Sequence, residues 1–287
     1  MIRRSSMAIA LFMACVVRAT QPTGILQEPA PAPSDVTEET VLATIHRLYG
    51  GTSKVIARLS LTEPLMTTTP WELVVAKETD IAATDFGDEN PVTICFVHNR
   101  NSECTENALF PIANPSVGSR LFYAFRDARL VNGPSGPMLV ITACSRAGGN
   151  GNCGIYTLLF VYDQPSDQLR LIFHDVVPRN NNGATRFIEK GPLQGDVISV
   201  TPTNNAPYAY FVTLFTQGGT GRYVRILRYR SRTHYNDGNR LAVIDSDMPE
   251  LLRRRGLWKS TDPLPTPTVM PKGCAKLVLR KGEEWCE

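Results

Sequence analysis

The sequence predicts a mainly β protein of the α+β kind, in which an antiparallel sheet or sandwich-like domain packs an N-terminal helix and a short C-terminal helix. Residues 54–231 consist largely of short apolar runs separated by turns rich in Pro, Asn, Asp and Gly. Two segments combine helical spacing of apolar residues with recognisable end signals. Six of the 7 cysteines fall into close pairs, which is typical of a domain stapled by local disulfides.

Ten runs have the length and composition of β-strands: 54–61, 71–77, 92–98, 121–125, 138–144, 155–162, 169–177, 196–201, 208–215 and 223–231. β-Branched and aromatic residues are frequent in them, and such side chains fit a pleated, half-buried surface. Residues 163–168 contain Pro165 and Asp167 between two apolar runs, so they are predicted to form a hairpin connection. No repeat of fixed period is present, and a propeller or solenoid is therefore not predicted.

Both helices are predicted from their ends as well as from their spacing. The first has apolar residues at Val41, Leu42, Ile45, Leu48 and Tyr49. Asp35 or Thr37 can cap its start, and the pair Gly50-Gly51 ends it. Ser246 or Asp247 is predicted to cap the second helix, with Pro249 near its start and Gly256 after its end.

The cysteine spacing predicts three local disulfides: Cys95–Cys104, Cys144–Cys153 and Cys274–Cys286. The second pair is symmetric about Gly148 and Gly149, a dipeptide suited to a two-residue type I′ turn. Such a turn places Cys144 directly opposite Cys153 at a non-hydrogen-bonded site, where Cα atoms lie about 4.5 Å apart. Around the first pair, Arg100 suits a tight turn poorly, so a longer irregular loop is equally compatible with the spacing.

The N-terminal residues have the layout of a secretory signal peptide. Arg3 and Arg4 form a positive region, residues 7–17 are apolar but too few to span a bilayer, and cleavage is predicted after Ala19. A lipoprotein signal acylated at Cys15 is the alternative. Simple secretion is favoured because the apolar region then has its usual length.

This interpretation divides the chain into four parts. They are a signal peptide at 1–19, a Pro-rich linker at 20–35, a β-rich domain at 36–259, and a second Pro-rich linker with a small disulfide loop at 260–287. We expect an exported protein, in the bacterial periplasm or outside the cell, whose mature chain has no transmembrane segment.

Several patterns resemble known binding motifs, but the residues around them do not favour a nucleotide, calcium or zinc site. Residues 149–154 match G-x-G-x-x-G, but a strand rather than a helix is predicted after them, so the glycines are assigned to a turn. Residues 245–247 resemble the start of a calcium loop without its later glycine and glutamate. The histidines His46, His98, His174 and His234 lack zinc-site spacing. We expect no metal ion and no cofactor.

Charge is segregated along the chain. Residues 35–106 contain 12 acidic and 5 basic side chains, whereas residues 222–259 contain 4 acidic and 10 basic ones. In the basic segment Arg228, Arg230 and Arg232 recur at the period of a strand and are expected to line one face, with Arg225 and Arg240 nearby. These arginines can bind a carboxylate or phosphate, or they can pair with the acidic half of the same fold.

The expected function is that of a non-enzymatic binding or inhibitor-like module of the cell envelope. Its predicted partner is an anionic envelope component or an acidic protein, because the arginines form the one charged pattern of note. Nucleic acid is not expected, since the net charge is only +3. Two alternatives remain: a periplasmic hydrolase with dispersed carboxylates, or a structural envelope component. Candidate carboxylates for the hydrolase are Asp175, Glu189, Asp196 and Asp245.

Overall fold

The computed structural model describes residues 38–79, 90–98, 101–104, 122–145, 153–177, 183–203, 209–231, 243–259, 261, 277–280 and 283–286. Predictions that fall on the signal peptide, Cys15, the first linker, the caps Asp35 and Thr37, Cys274, Arg232 and Arg240 lie outside these residues. So does most of the second linker. The four-part division of the chain therefore stays a prediction.

The described elements confirm a mainly β, antiparallel fold with one helix near each end. In chain order they are α1 (Glu38–Tyr49), β1 (Ser53–Ser60), β2 (Trp71–Glu78), β3 (Val92–His98), β4 (Asn101–Cys104), β5 (Phe122–Gly133), β6 (Gly136–Ser145), β7 (Ile155–Asp163), β8 (Gln168–Val177), β9 (Ala184–Phe187), β10 (Val197–Pro202), β11 (Tyr210–Gln217), β12 (Tyr223–Arg230), α2 (Val243–Arg254), β13 (Leu277–Arg280) and β14 (Glu283–Cys286). Neither helix is long or apolar enough to cross a bilayer, within the part of the chain that the structure describes.

The first sheet has the strand order β1-β2-β3-β5-β6-β7-β8, and β4 also pairs with β3. Its inner face holds one apolar cluster to which all seven of these strands contribute. The rings of Phe96 on β3 and Phe160 on β7 lie 5.2 Å apart, edge to face. In a flat sheet two intervening strands would separate them by about 14 Å. The sheet is therefore strongly curled around this cluster.

Helix α1 covers the outer face of the first sheet at β2 and β3. Val41 and Ile45 are fully buried there, against Val74, Cys95 and Val97. As predicted, the helix ends at Gly50, which has the positive φ of 71° that a glycine adopts at low cost.

The second sheet has the order β12-β11-β10-β9, and α2 packs against one face of it. Its other face meets the outer face of the first sheet through a shared apolar cluster. That cluster contains Val140, Leu159 and Phe173 from the first sheet and Phe187 and Val197 from the second. The two sheets are thus layers of one packed structure, and each buries part of one face of the other, while the edge strand β12 keeps exposed side chains on that face.

The start of α2 corrects a prediction. The helix begins at Val243, so Ser246 and Asp247 lie inside it and are buried rather than capping it. Both acidic groups of this stretch have tertiary partners instead: Asp247 accepts a hydrogen bond from Ser231, and Asp245 pairs with Arg186. Short polar residues usually favour caps, but here the two carboxylates bond to Arg186 on β9 and to Ser231 just after β12.

The Cys144–Cys153 disulfide is present, with Cα atoms 5.5 Å apart. The predicted register around it is wrong, because Cys144 lies opposite Ile155 rather than opposite Cys153. The displacement is two residues, which keeps both cysteines on one face of the hairpin and lets them bond diagonally. Cys95 is also disulfide-bonded, and its partner in the β3–β4 register is Cys104. The predicted Cys274–Cys286 bridge lies outside the described residues.

Candidate functional site

The arginines singled out by the sequence lie on β12, the edge strand of the second sheet. Ile226 is the extra residue of a β-bulge, since Arg225 and Leu227 are paired with consecutive residues of β11. On the face away from α2 the paired residues are Phe215 with Arg225, Thr213 with Arg228, and Phe211 with Arg230. We call Arg225, Arg228 and Arg230 the arginine face.

The bulge changes which side chains share that face. Uninterrupted alternation predicts Val224 on the side of Arg228 and Tyr223 on the opposite side. In the structure Tyr223 is paired with Gln217 and Val224 with Thr216, so both assignments are reversed. Arg225 gains its place beside the other two arginines in the same way. An extra residue in one strand shifts everything before it to the other face.

All three arginines of this face are exposed, and none forms an ion pair with a described carboxylate. The guanidinium carbon of Arg228 lies 4.7 Å from the ring centroid of Phe211, which orients the side chain without neutralising its charge. Val224 and Ile226 on the same strand are 46% and 37% exposed. The strand thus presents both cationic and apolar groups to solvent.

A cleft of about 590 Å³ lies between the outer face of the first sheet and the segment that follows β9. The lining residues are Arg129, Val140, Thr142, Thr157, Thr185, Arg186, Phe187, Ile188, Glu189 and Lys190. Gly195 fixes the edge of this segment: it has a φ of 87°, and a Cβ at this position would lie 2.6 Å from Pro134. Sequence reasoning missed the cleft, apart from Glu189.

Each of the four carboxylates proposed for a hydrolase contacts a different partner. Asp175 accepts a hydrogen bond of 2.6 Å from Thr185, and Asp245 binds Arg186 at 2.8 Å. Glu189 lies 3.4 Å from Arg129. Burial raises the pKa of Asp196, against a hydrogen bond from Thr216. Among its described lining residues the cleft has the single carboxylate of Glu189, whereas glycoside hydrolysis by acid and nucleophile or base needs two.

The structure also brings together a histidine, a carboxylate and a hydroxyl where β2 begins and β3 ends. His98 Nε2 lies 2.6 Å from Thr69 Oγ1 and 2.9 Å from Asp167 Oδ2. In a nucleophile–base–acid triad the two partners bind different nitrogens of the imidazole ring. Here both contact the same nitrogen. The arrangement therefore fits a brace between strands better than a proton relay.

Asp167 is the centre of this brace. Its carboxylate accepts hydrogen bonds from Tyr162, Trp71 and Thr69, and the ring of Trp71 stacks on His98 at 4.2 Å. Burial is the largest single influence and favours a higher pKa. The three hydrogen bonds and the nearby His98 together outweigh it, so the pKa of Asp167 is lowered from its usual value.

We expect Asp167→Asn to lower the free energy of unfolding by about 1–2 kcal/mol at neutral pH, because the charge that receives three hydrogen bonds is lost. Asparagine tolerates the positive φ of 47° found at this residue, so backbone strain is not added. Since the folded pKa is depressed, this contribution is complete above the unfolded pKa of about 3.9 and disappears as the pH falls through the folded value. Denaturant unfolding from pH 7 to pH 2 measures both effects.

Exposed Glu63 provides the matched control, because Glu63→Gln removes one negative charge from the neighbouring loop without touching the brace. A stability loss for Asp167→Asn that stays constant down to pH 2, or one no larger than that of the control, would contradict the role given to Asp167.

No family model, curated protein or solved structure matches the chain.

Proposed function

We propose that the protein is a non-enzymatic binding module of the cell envelope, and that the arginine face of β12 captures an acidic polypeptide. The observation that carries the proposal is the group of three exposed arginines on one face, which have no carboxylate partner among the described residues. The other explanation for them, pairing with the acidic N-terminal half of the fold, finds no support in the described ion pairs.

A polypeptide fits this strand better than a purely ionic ligand does. Val224 is exposed on the face opposite the arginines, and Ile226 is exposed at the bulge beside Arg225. A segment that runs along this edge strand would therefore meet apolar as well as charged groups. Arginine is enriched at protein interfaces because its planar group binds carboxylates in bidentate fashion while its stem and face pack on apolar surface. An acidic segment that also carries apolar side chains would satisfy both kinds of group.

A structural role for the same features is the alternative. Charged side chains and bulges on edge strands prevent unwanted pairing between sheets, and β12 has both. In that case the arginines protect the edge and bind nothing. The two explanations differ in what happens to partner capture when the arginines are removed.

Export to the periplasm or the extracellular space is part of this proposal. The Cys144–Cys153 disulfide supports it, because such bonds persist in oxidising compartments. Under this proposal residues 1–19 are removed as a signal peptide, with acylation of Cys15 as the alternative route to the envelope.

The test is capture from an envelope extract by the immobilised mature protein. We expect the triple variant Arg225→Ser, Arg228→Ser, Arg230→Ser to lose the partner that the wild type retains, while its stability changes by less than about 1 kcal/mol. The control, Arg47→Ser with Lys54→Ser, removes exposed cations from α1 and β1 and should still capture the partner. Equal capture by the triple variant and the wild type would refute the proposal.

A further inference from the structure

The cleft between the sheets is lined by two threonines whose hydroxyls have no hydrogen-bond partner among the described residues. Thr142 on β6 lies directly opposite Thr157 on β7, and both line the cleft. Thr157 is only 3% exposed and Thr142 is half-buried, and neither hydroxyl bonds to another described group. Each hydroxyl can donate one hydrogen bond and accept others from a molecule in the cleft. These two therefore offer paired donor and acceptor groups to whatever occupies the cleft.

The charged side chains that line the cleft differ in whether a described carboxylate already neutralises them. Arg129 is held by Asp127 and Glu189, and Arg186 is held by Asp245. Lys190, in contrast, is exposed at the cleft and forms no ion pair with a described carboxylate. The lining thus offers one uncompensated positive charge, with the acceptor oxygens of Glu189 next to it in the chain.

The volume of the cleft and its apolar lining residues indicate the size and kind of ligand that it can hold. A volume of about 590 Å³ lies in the range of sites for small molecules. Val140, Phe187 and Ile188 contribute apolar wall, against which the C–H face of a ring can pack. The lining also offers hydroxyls, a carboxylate and guanidinium groups, which suit a ligand that carries several hydroxyls of its own.

We infer that this cleft binds a sugar-sized polyol that carries one carboxylate, as a hexuronate does. The ligand carboxylate pairs with Lys190, and its hydroxyls bond to Thr142, Thr157 and Glu189. The site is separate from the arginine face, so it stands or falls independently of the proposed function.

The test is titration of the folded protein with D-glucuronate, followed by calorimetry and by chemical shifts of residues in the cleft. Glucuronate is expected to bind at millimolar concentration and D-glucose about tenfold more weakly, since glucose lacks the charge that Lys190 recognises. Lys190→Gln should abolish that difference. Thr157→Val should weaken both sugars, and Thr142→Val provides the same test on the neighbouring strand if the buried change impairs folding.

Two controls distinguish this site from other anion binding. Acetate and inorganic phosphate should not displace glucuronate at equal concentration, and the Arg225, Arg228, Arg230 triple serine variant should bind it as the wild type does. The inference is overturned if glucuronate does not bind, if Lys190→Gln leaves the preference over glucose unchanged, or if acetate competes as well as glucuronate.

Discussion

Phe160→Ala is expected to lower the free energy of unfolding by about 3–5 kcal/mol. Phe160 is fully buried at the centre of the cluster enclosed by the first sheet, where its loss leaves a cavity. Denaturant unfolding at neutral pH measures the change. If the alanine variant does not fold, Phe160→Leu should still show a smaller loss, because leucine fills more of the space.

The same residue tests the curvature of the sheet. Because the rings of Phe96 and Phe160 are in contact, a double-mutant cycle with alanine should give a coupling of about 0.5–1.5 kcal/mol. Phe173 is the control, since it packs against Phe215 in the cluster between the sheets. Its coupling to Phe96 should be close to zero. A Phe96–Phe160 coupling as small as the control value would contradict the curled arrangement.

The second large effect is expected for Arg186→Met, which should lower the free energy of unfolding by about 2–4 kcal/mol. Arg186 binds Asp245 at 2.8 Å, and the Asp245 side chain is only 3% exposed. Removing the arginine leaves a buried carboxylate without this cationic partner, and such a charge is costly in a medium of low dielectric constant. Urea or guanidinium unfolding of the variant gives the value.

Arg129→Met is the matched control from the same cleft. The pairs of Arg129 with Asp127 and Glu189 involve side chains that are 42–51% exposed, so its loss should cost less than about 1 kcal/mol. Asp245→Asn introduced into the Arg186→Met background should recover part of the lost stability. Equal effects of the two arginine substitutions would contradict the difference in burial that the structure assigns to them.

Much of the fold could be predicted because alternation and turn residues are local signals. Val92–His98 coincides with the predicted strand, and the Gln164–Asp167 connection joins β7 to β8 as expected. Strands β4, β9, β13 and β14 were missed. Each has four residues, mostly polar in the case of β4, and so lacks a run long enough to show a period. Pairing with a neighbouring strand, which is a tertiary effect, makes them strands.

The candidate site was predictable only in part. The sequence locates exposed arginines on β12, and the structure confirms that Arg228 and Arg230 share a face. It carries no signal for the bulge at Ile226, because a bulge depends on the register with β11. Arg225 was therefore named as a neighbour rather than as a member of the face.

The cleft could not be found from the sequence because its walls come from distant parts of the chain. Thr142 and Thr157 are ordinary strand residues until the register of β6 and β7 places them side by side. Lys190 follows a short strand that was not predicted. Contacts of this kind depend on packing between the two sheets, for which local spacing holds no information.

The most direct test of the central claim is the dissociation constant of the captured partner, measured for wild type and for the Arg225, Arg228, Arg230 triple serine variant at about 50 mM and about 500 mM NaCl. We predict an affinity loss of about a hundredfold in the variant at low salt, and a weaker salt dependence than that of the wild type, because the screened charges are those removed. Equal dissociation constants for the two proteins, with equal salt dependence, would contradict the assignment of β12 as the binding surface.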